Sequence, residues 1–324
     1  MAGKKGLMGC SYPLVMGIFL VALALIVIGI LAGPLGKELF KGLALPEWLS
    51  ISKPEPELPA EAIFHISGFA VTNTMLATWI TVAFLIICSF LITRRMKLVP
   101  GRAQAAFEFI LGWLYDFCVS AAGEKDGRRF FPLVATIFLF VGFNAWLGLI
   151  PGYGSFTVES THGVVHLIRP ANTDVNTPLA IALVAVIAVQ FYGVKTLGAR
   201  YVTKFINIGG MARIFRGIKS IFRGKVIDGI SDMFTGIVEI ILGGLEFLSE
   251  FVIRIISFTF RLFGNMTAGE VLLVVALYLI PFLFALPFYL LELLVGFLQA
   301  IIFAGLTLIF MTLSVSSHGE DEHA

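Results

Sequence analysis

Apolar runs long enough to cross a bilayer alternate along this chain with shorter polar stretches. A crossing helix needs about 20 apolar residues, and six segments qualify: 13–33, 72–93, 130–150, 178–198, a long stretch near 231–280, and 281–315. Thr177-Pro178 at the head of the fourth predicts a capping residue followed by proline in the first helical turn. Residues 102–121 read differently. Phe107, Ile110, Leu111, Leu114 and Phe117 fall near helical spacing in a mixed segment, which predicts an amphipathic helix along the cytoplasmic interface. The expected class is all-α: a polytopic membrane protein with about six membrane helices and one interfacial helix.

The last two segments are too long for simple spans. At 1.5 Å per residue, 231–280 extends roughly 75 Å and 281–315 roughly 52 Å, against a hydrocarbon core of about 30 Å. An ordinary tilt of about 20° does not absorb that length. A long, steeply tilted C-terminal hairpin is expected. The chain then divides into 1–71 (first span and outside loop), 72–230 (spans with amphipathic and basic segments), 231–315 (the hairpin) and 316–324 (an acidic tail). No internal repeat is evident, and the spans differ too much in length to suggest inverted halves.

Lysine and arginine orient these segments. Residues 94–129 carry Arg94, Arg95, Lys97, Arg102, Lys125, Arg128 and Arg129. Residues 195–225 carry Lys195, Arg200, Lys204, Arg213, Arg216, Lys219, Arg223 and Lys225 with no acid. Loop 151–177 has Arg169 as its one such cation, and 34–71 has three lysines against five glutamates. The basic loops are therefore expected in the cytoplasm, as are both termini, with 34–71 and 151–177 outside. The basic segment 199–225 either rests on anionic lipid or meets a soluble partner.

Composition agrees with the pattern. The chain is 58% hydrophobic and 14% charged, with a mean hydropathy of +0.95; soluble domains run nearer 45–50% apolar and about 25% charged. Cys10, Cys88 and Cys118 are too few and scattered for a disulfide framework or metal cluster. Leu7-Met8-Gly9-Cys10 resembles a lipoprotein cleavage box but precedes the apolar run. Lys4 and Lys5 lead that run as in a signal peptide, yet its length of about 21 residues favours a retained span.

The candidate chemistry lies in the hairpin. Arg261-Leu-Phe-Gly-Asn265-Met-Thr-Ala-Gly-Glu270 stands inside apolar sequence, and Glu292 and Gln299 follow Pro281. An arginine at bilayer depth costs about 2.5–3.5 kcal/mol even on a lenient scale. If the helices fold back antiparallel, facing positions share an index sum: Arg261 with Gln299 gives 560, Glu270 with Glu292 gives 562. Both place the bend at Pro281. The arginine then faces an amide and two carboxylates face each other, an arrangement suited to a proton relay more than to a stabilising pair. Arg261 and Glu270 are also about half a turn out of register. On the approach to Arg261, Glu239, Glu246 and Glu250 lie within about 60° of its direction; Arg254, four residues after Glu250, is a simple pairing partner for it.

Other chemistries fit poorly. His65, His162, His166, His318 and His323 all lie in loops or the tail, so no pair holds a haem between spans. Two histidines four apart without acid or thiolate support are a weak metal site. No phosphate-binding glycine loop follows a strand, so the chain is not expected to hydrolyse ATP itself. No cofactor, metal or nucleic-acid partner is expected. A stand-alone transporter would need a conduction path on both sides of Arg261.

The Arg261–Glu270 string with Glu292 and Gln299 resembles subunit a of F-type ATP synthase, over roughly residues 65–315 and including Ala171-Asn-Thr-Asp174-Val-Asn176. The resemblance implies a non-catalytic, proton-translocating stator in a bacterial-type inner (plasma) membrane. It would assemble with the rotor ring of subunit c, the peripheral stalk of subunit b and the remaining ATP synthase subunits, within the lipid bilayer. It implies that Arg261 faces the ring carboxylate, that Asn265 and Gln299 are the motif amides, and that Glu270 and Glu292 form the outer half-channel. That family commonly has a glutamate and a histidine there; both are glutamate here, which leaves open which holds the proton. Protons would enter near Asn144, Asp174 and Asn176, the latter two also standing where helix caps are expected, and leave past Glu246 and Glu250. The proton is the default coupling ion over sodium. Relative to the commoner five-span form, 13–33 is extra.

Overall fold

The computed structural model describes residues 12–34, 60–66, 68–94, 96–150, 152–153, 156–160, 163–198, 201, 205, 208–223 and 225–316. Lys4, Lys5, Cys10, most of loop 34–71, Arg95, His162, Arg200, Lys204 and the tail with His318 and His323 lie outside the described residues. The helices are α1 Tyr12–Ala32, α2 Asn73–Thr93, α3 Arg102–Gly148, α4 Asn176–Leu197, α5 Ile208–Phe222, α6 Val226–Leu248, α7 Arg254–Leu279 and α8 Leu286–Ser316. Two short antiparallel hairpins interrupt them: β1 Ala62–Ile66 with β2 Phe69–Thr72, and β3 Thr157–Ser160 with β4 Gly163–His166. They lie where the sequence reads only as loop.

Five of the six expected segments are helices long and apolar enough to cross a membrane: Pro13–Ala32, Asn73–Thr93, Arg102–Gly148, Asn176–Leu197 and Leu283–Ser316. Their outward positions are apolar, as in Ile18, Ile86, Ile187 and Leu290, which suits lipid and not water. This is an all-α polytopic integral membrane protein. The remaining segment opens earlier than expected, at Val226, and joins α6 to α7 through one wide π turn at Ser249–Ile253. The fourth span also opens earlier. Val175, not Thr177, stands at the cap position, and Pro178 is held in the first turn.

The chain forms two compact units, each gathered from separate stretches. One comprises Met1–Ala77, Asn144–Thr173 and Gly264–Leu298. Here α1 lies against the bend between α7 and α8. Gly29 and Gly33 sit on the carbonyl oxygens of Pro281 and Leu279, so closely that any side chain at either glycine would strike backbone. The bend itself runs through Pro281 and a 3₁₀ turn at Phe282–Ala285, as the index sums require. Asn73 Nδ2 donates to the His166 carbonyl at 3.3 Å, tying the start of α2 to β4.

The other unit comprises Thr78–Phe143, Asp174–Phe263 and Gln299–Ala324. Within it α3 breaks at Gly123, whose φ of 78° and ψ of 169° are open to glycine alone. The two arms fold back on each other: Trp113 meets Phe138 at 6.1 Å and Tyr115 meets Phe131 at 5.4 Å between ring centroids. The amphipathic stripe expected over 102–121 is thus used in part for packing. Leu114 and Cys118 are buried, Phe107, Leu111 and Phe117 half-buried, and Ile110 exposed. Phe130 packs on Tyr192 of α4 at 4.9 Å, and Ser314 of α8 donates to the Val189 carbonyl at 3.2 Å.

Candidate functional site

Glycine, a bend and a loop arginine build the first cluster. Glu292, in the second turn of α8, is 6% exposed. Its carboxylate occupies the space that a side chain at Gly269 of α7 would fill. The two helices therefore meet here at an index sum of 561, within one of the value expected for the paired glutamates. Glu270 and Glu292 line one cavity of about 250 Å³ with Tyr153, Met266 and Tyr289, room for several waters. Burial pushes the Tyr153 hydroxyl up to about 12, so it stays a neutral donor at ordinary pH.

The two carboxylates have unlike company. Glu270 accepts a charge-assisted bond from Arg169 Nη2 at 3.0 Å. Among the described residues, Glu292 has no hydrogen-bond or ion-pair partner. Arg169 is buried although it comes from a loop, and it is the functional candidate that sequence reasoning passed over. Its one signal was being the sole lysine or arginine of loop 151–177. Asn144, also buried, accepts the Asn172 backbone N–H at 3.3 Å and so fixes the turn beside Arg169.

In the second unit Arg261 is half-buried and has no hydrogen-bond or ion-pair partner among the described residues. Phe258 stacks near Phe303 at 4.7 Å, again an index sum of 561, which puts Gln299 within one position of facing Arg261. Gln299 is 6% exposed, and its Oε1 is buried with no partner among the described residues. The neighbouring Arg254 is placed otherwise, 3.7 Å above the Phe310 ring and beside Glu250. Glu239, Glu246, Glu250 and Arg261 are each half-buried. Glu239 is bound to Arg213 at 2.7 Å, so the pairing reading fits it.

Asn265 is exposed, one turn beyond Arg261, in a stripe with Phe260, Gly264, Ala268 and Leu272. Asp174 accepts the Asn176 backbone N–H at 3.2 Å and its amide at 3.1 Å, a local turn opening α4.

A profile of the family described as ATP synthase A chain matches residues 75–312. ATP synthase subunit a 3 of Pelobacter propionicus is 34% identical over 250 residues, 77% of this chain and 90% of the relative. ATP synthase subunit a of Geotalea daltonii is 32% identical over 234 residues, 72% of this chain and 83% of the relative. That of Moorella thermoacetica is 29% identical over 256 residues, 79% and 96% respectively. The profile takes in both arms of the polar hairpin and leaves α1 outside. The chain belongs to the ATP synthase A chain family, the subunit a proteins of ATP synthase.

Proposed function

We propose that this chain is the proton-conducting stator of an F-type ATP synthase membrane sector, in a bacterial-type inner membrane. It works beside a ring of subunit c, held by subunit b and the remaining subunits, and is not itself catalytic. The observation that carries the reading is the division of partners. Glu270 has Arg169 at 3.0 Å, while Arg261, half-buried, has no ion pair among the described residues. A charge kept at that cost without an internal counter-ion suits a mobile carboxylate on another chain. Asn265 among exposed apolar positions supports the same face, because lipid offers its amide no hydrogen bond.

The chemistry follows from the groups. Arginine does not deprotonate in a protein, so Arg261 relays nothing. It separates two aqueous half-channels and favours the ionised ring carboxylate as that passes. Protons enter the outer half-channel near Asn144, Asp174 and Asn176, and Glu292, with no cation partner among the described residues, takes up and hands on the proton. Glu270 stays engaged by Arg169. Gln299 shares the arginine's site, and Glu246 and Glu250 lie on the cytoplasmic exit. Segment 231–315 is thereby the conducting hairpin. Each proton contributes about 2.3 kcal/mol per 100 mV. ATP synthesis by the complex in vesicles under an imposed proton gradient tests this. With Arg261→Ala, and assembly checked by pull-down, synthesis falls to background; undiminished synthesis removes the proposal.

A further inference from the structure

Helices α5 and α6 form an antiparallel leaf with two unlike faces. A Cβ on Gly210 would stand 2.9 Å from the Gly236 carbonyl oxygen, and one on Gly217 2.6 Å from that of Gly229. The glycines recur every seven residues, so one backbone rests on the other along two turns of each helix. At 100° per residue, Met211, Phe215, Ile218 and Phe222 lie about 100° to one side of the α5 glycine line. Antiparallel pairing brings Ile230 and Phe234 of α6 to that same side. All six are exposed, Phe222 at 88% and Phe234 at 69%. On the opposite side Arg213 binds Glu239 at 2.7 Å, and helical spacing puts Asp228 and Asp232 of α6 on that same side. Arg216, Lys219 and Arg223 are exposed around the back of α5, and residues 208–225 contain no acid.

We propose that the α5–α6 leaf lies flat in the headgroup layer of an anionic membrane leaflet. Its apolar face enters the acyl boundary, and Arg216, Lys219 and Arg223 meet lipid phosphates. A contiguous apolar face of this kind is rare on a surface left to water. Beside an apolar stripe, an unbroken set of cations matches an anionic lipid surface. Each such cation strengthens the attachment about fivefold.

The test uses the assembled complex in phosphatidylcholine vesicles with or without phosphatidylglycerol. Photoreactive benzoylphenylalanine replaces Phe215, Phe234 or Asp232 in turn. Lipid adducts are expected at Phe215 and Phe234 but not at Asp232, with several-fold higher yield when phosphatidylglycerol is present. Arg216→Gln, Lys219→Gln and Arg223→Gln together abolish that lipid preference. Protein adducts at Phe215 and Phe234 would overturn the proposal in favour of a covering partner. Equal lipid adducts at all three positions would mean an immersed leaf, and indifference to phosphatidylglycerol would remove the role of the cations.

Discussion

Removing Arg169 tests what holds Glu270. The arginine side chain is 7% exposed and the glutamate 34%, with 3.0 Å between Nη2 and Oε2. At that distance and an effective dielectric of about 20, the attraction is about 5–6 kcal/mol. Stripping water from the guanidinium cancels a large part of it, and the exposed third of Glu270 is screened further. About 1.5–3 kcal/mol remains, the usual range for a hydrogen bond to a charged group. Arg169→Gln and Glu270→Gln should each destabilise the chain by about that amount. The double variant should cost less than their sum by about 1–2 kcal/mol. The assay is unfolding of the four forms by dodecyl sulfate titration in mixed micelles. Costs that add within about 0.5 kcal/mol would refute the pairing argument.

Three further outcomes follow from the same geometry. Gly269→Ala places a methyl group where the Glu292 carboxylate lies, so ATP-driven proton pumping should fall sharply in complexes that still assemble. Glu292→Gln should stop pumping while Glu270→Gln only lowers it, measured as acidification of inverted vesicles; equal losses would mean that the two carboxylates share the proton. Gly123→Ala forces a side chain onto a φ of 78° and should destabilise the folded arms of α3 by about 1–3 kcal/mol, read as a lowered unfolding midpoint.

Apolar run length located the spans within a few residues, because a bilayer imposes one length on every crossing helix. Facing positions in the hairpin were legible for a related reason: Pro281 fixes the bend, and helical rise is uniform on both sides. The index sum of 561 at Gly269–Glu292 and at Phe258–Phe303 falls between the expected 560 and 562. What escaped notice depends on distant or backbone-level contacts. Arg169 meets Glu270 across 101 residues, and no local pattern announces such a pair. The opening of the fourth span at Asn176 rests on an aspartate side chain bonding two residues ahead. The hairpins at 62–72 and 157–166 are too short for alternation to stand out. The reversal at Gly123 rests on one dihedral pair in a segment that otherwise reads as continuous helix. The seven-residue spacing of Gly210 and Gly217 with Gly229 and Gly236 was present to be read, but its meaning required knowing that α5 and α6 pair.

The most direct test of the central claim compares two arginines on one helix, Arg261 without an ion-pair partner among the described residues and Arg254 lying over Phe310. ATP-driven proton pumping is measured in vesicles for Arg261→Ala and Arg254→Ala, each verified as an assembled complex. Pumping is expected to vanish with Arg261→Ala and to persist, reduced, with Arg254→Ala. Equal pumping by the two variants would contradict the account, since a charge without a counter-ion would then serve no more than a charge seated on an aromatic ring.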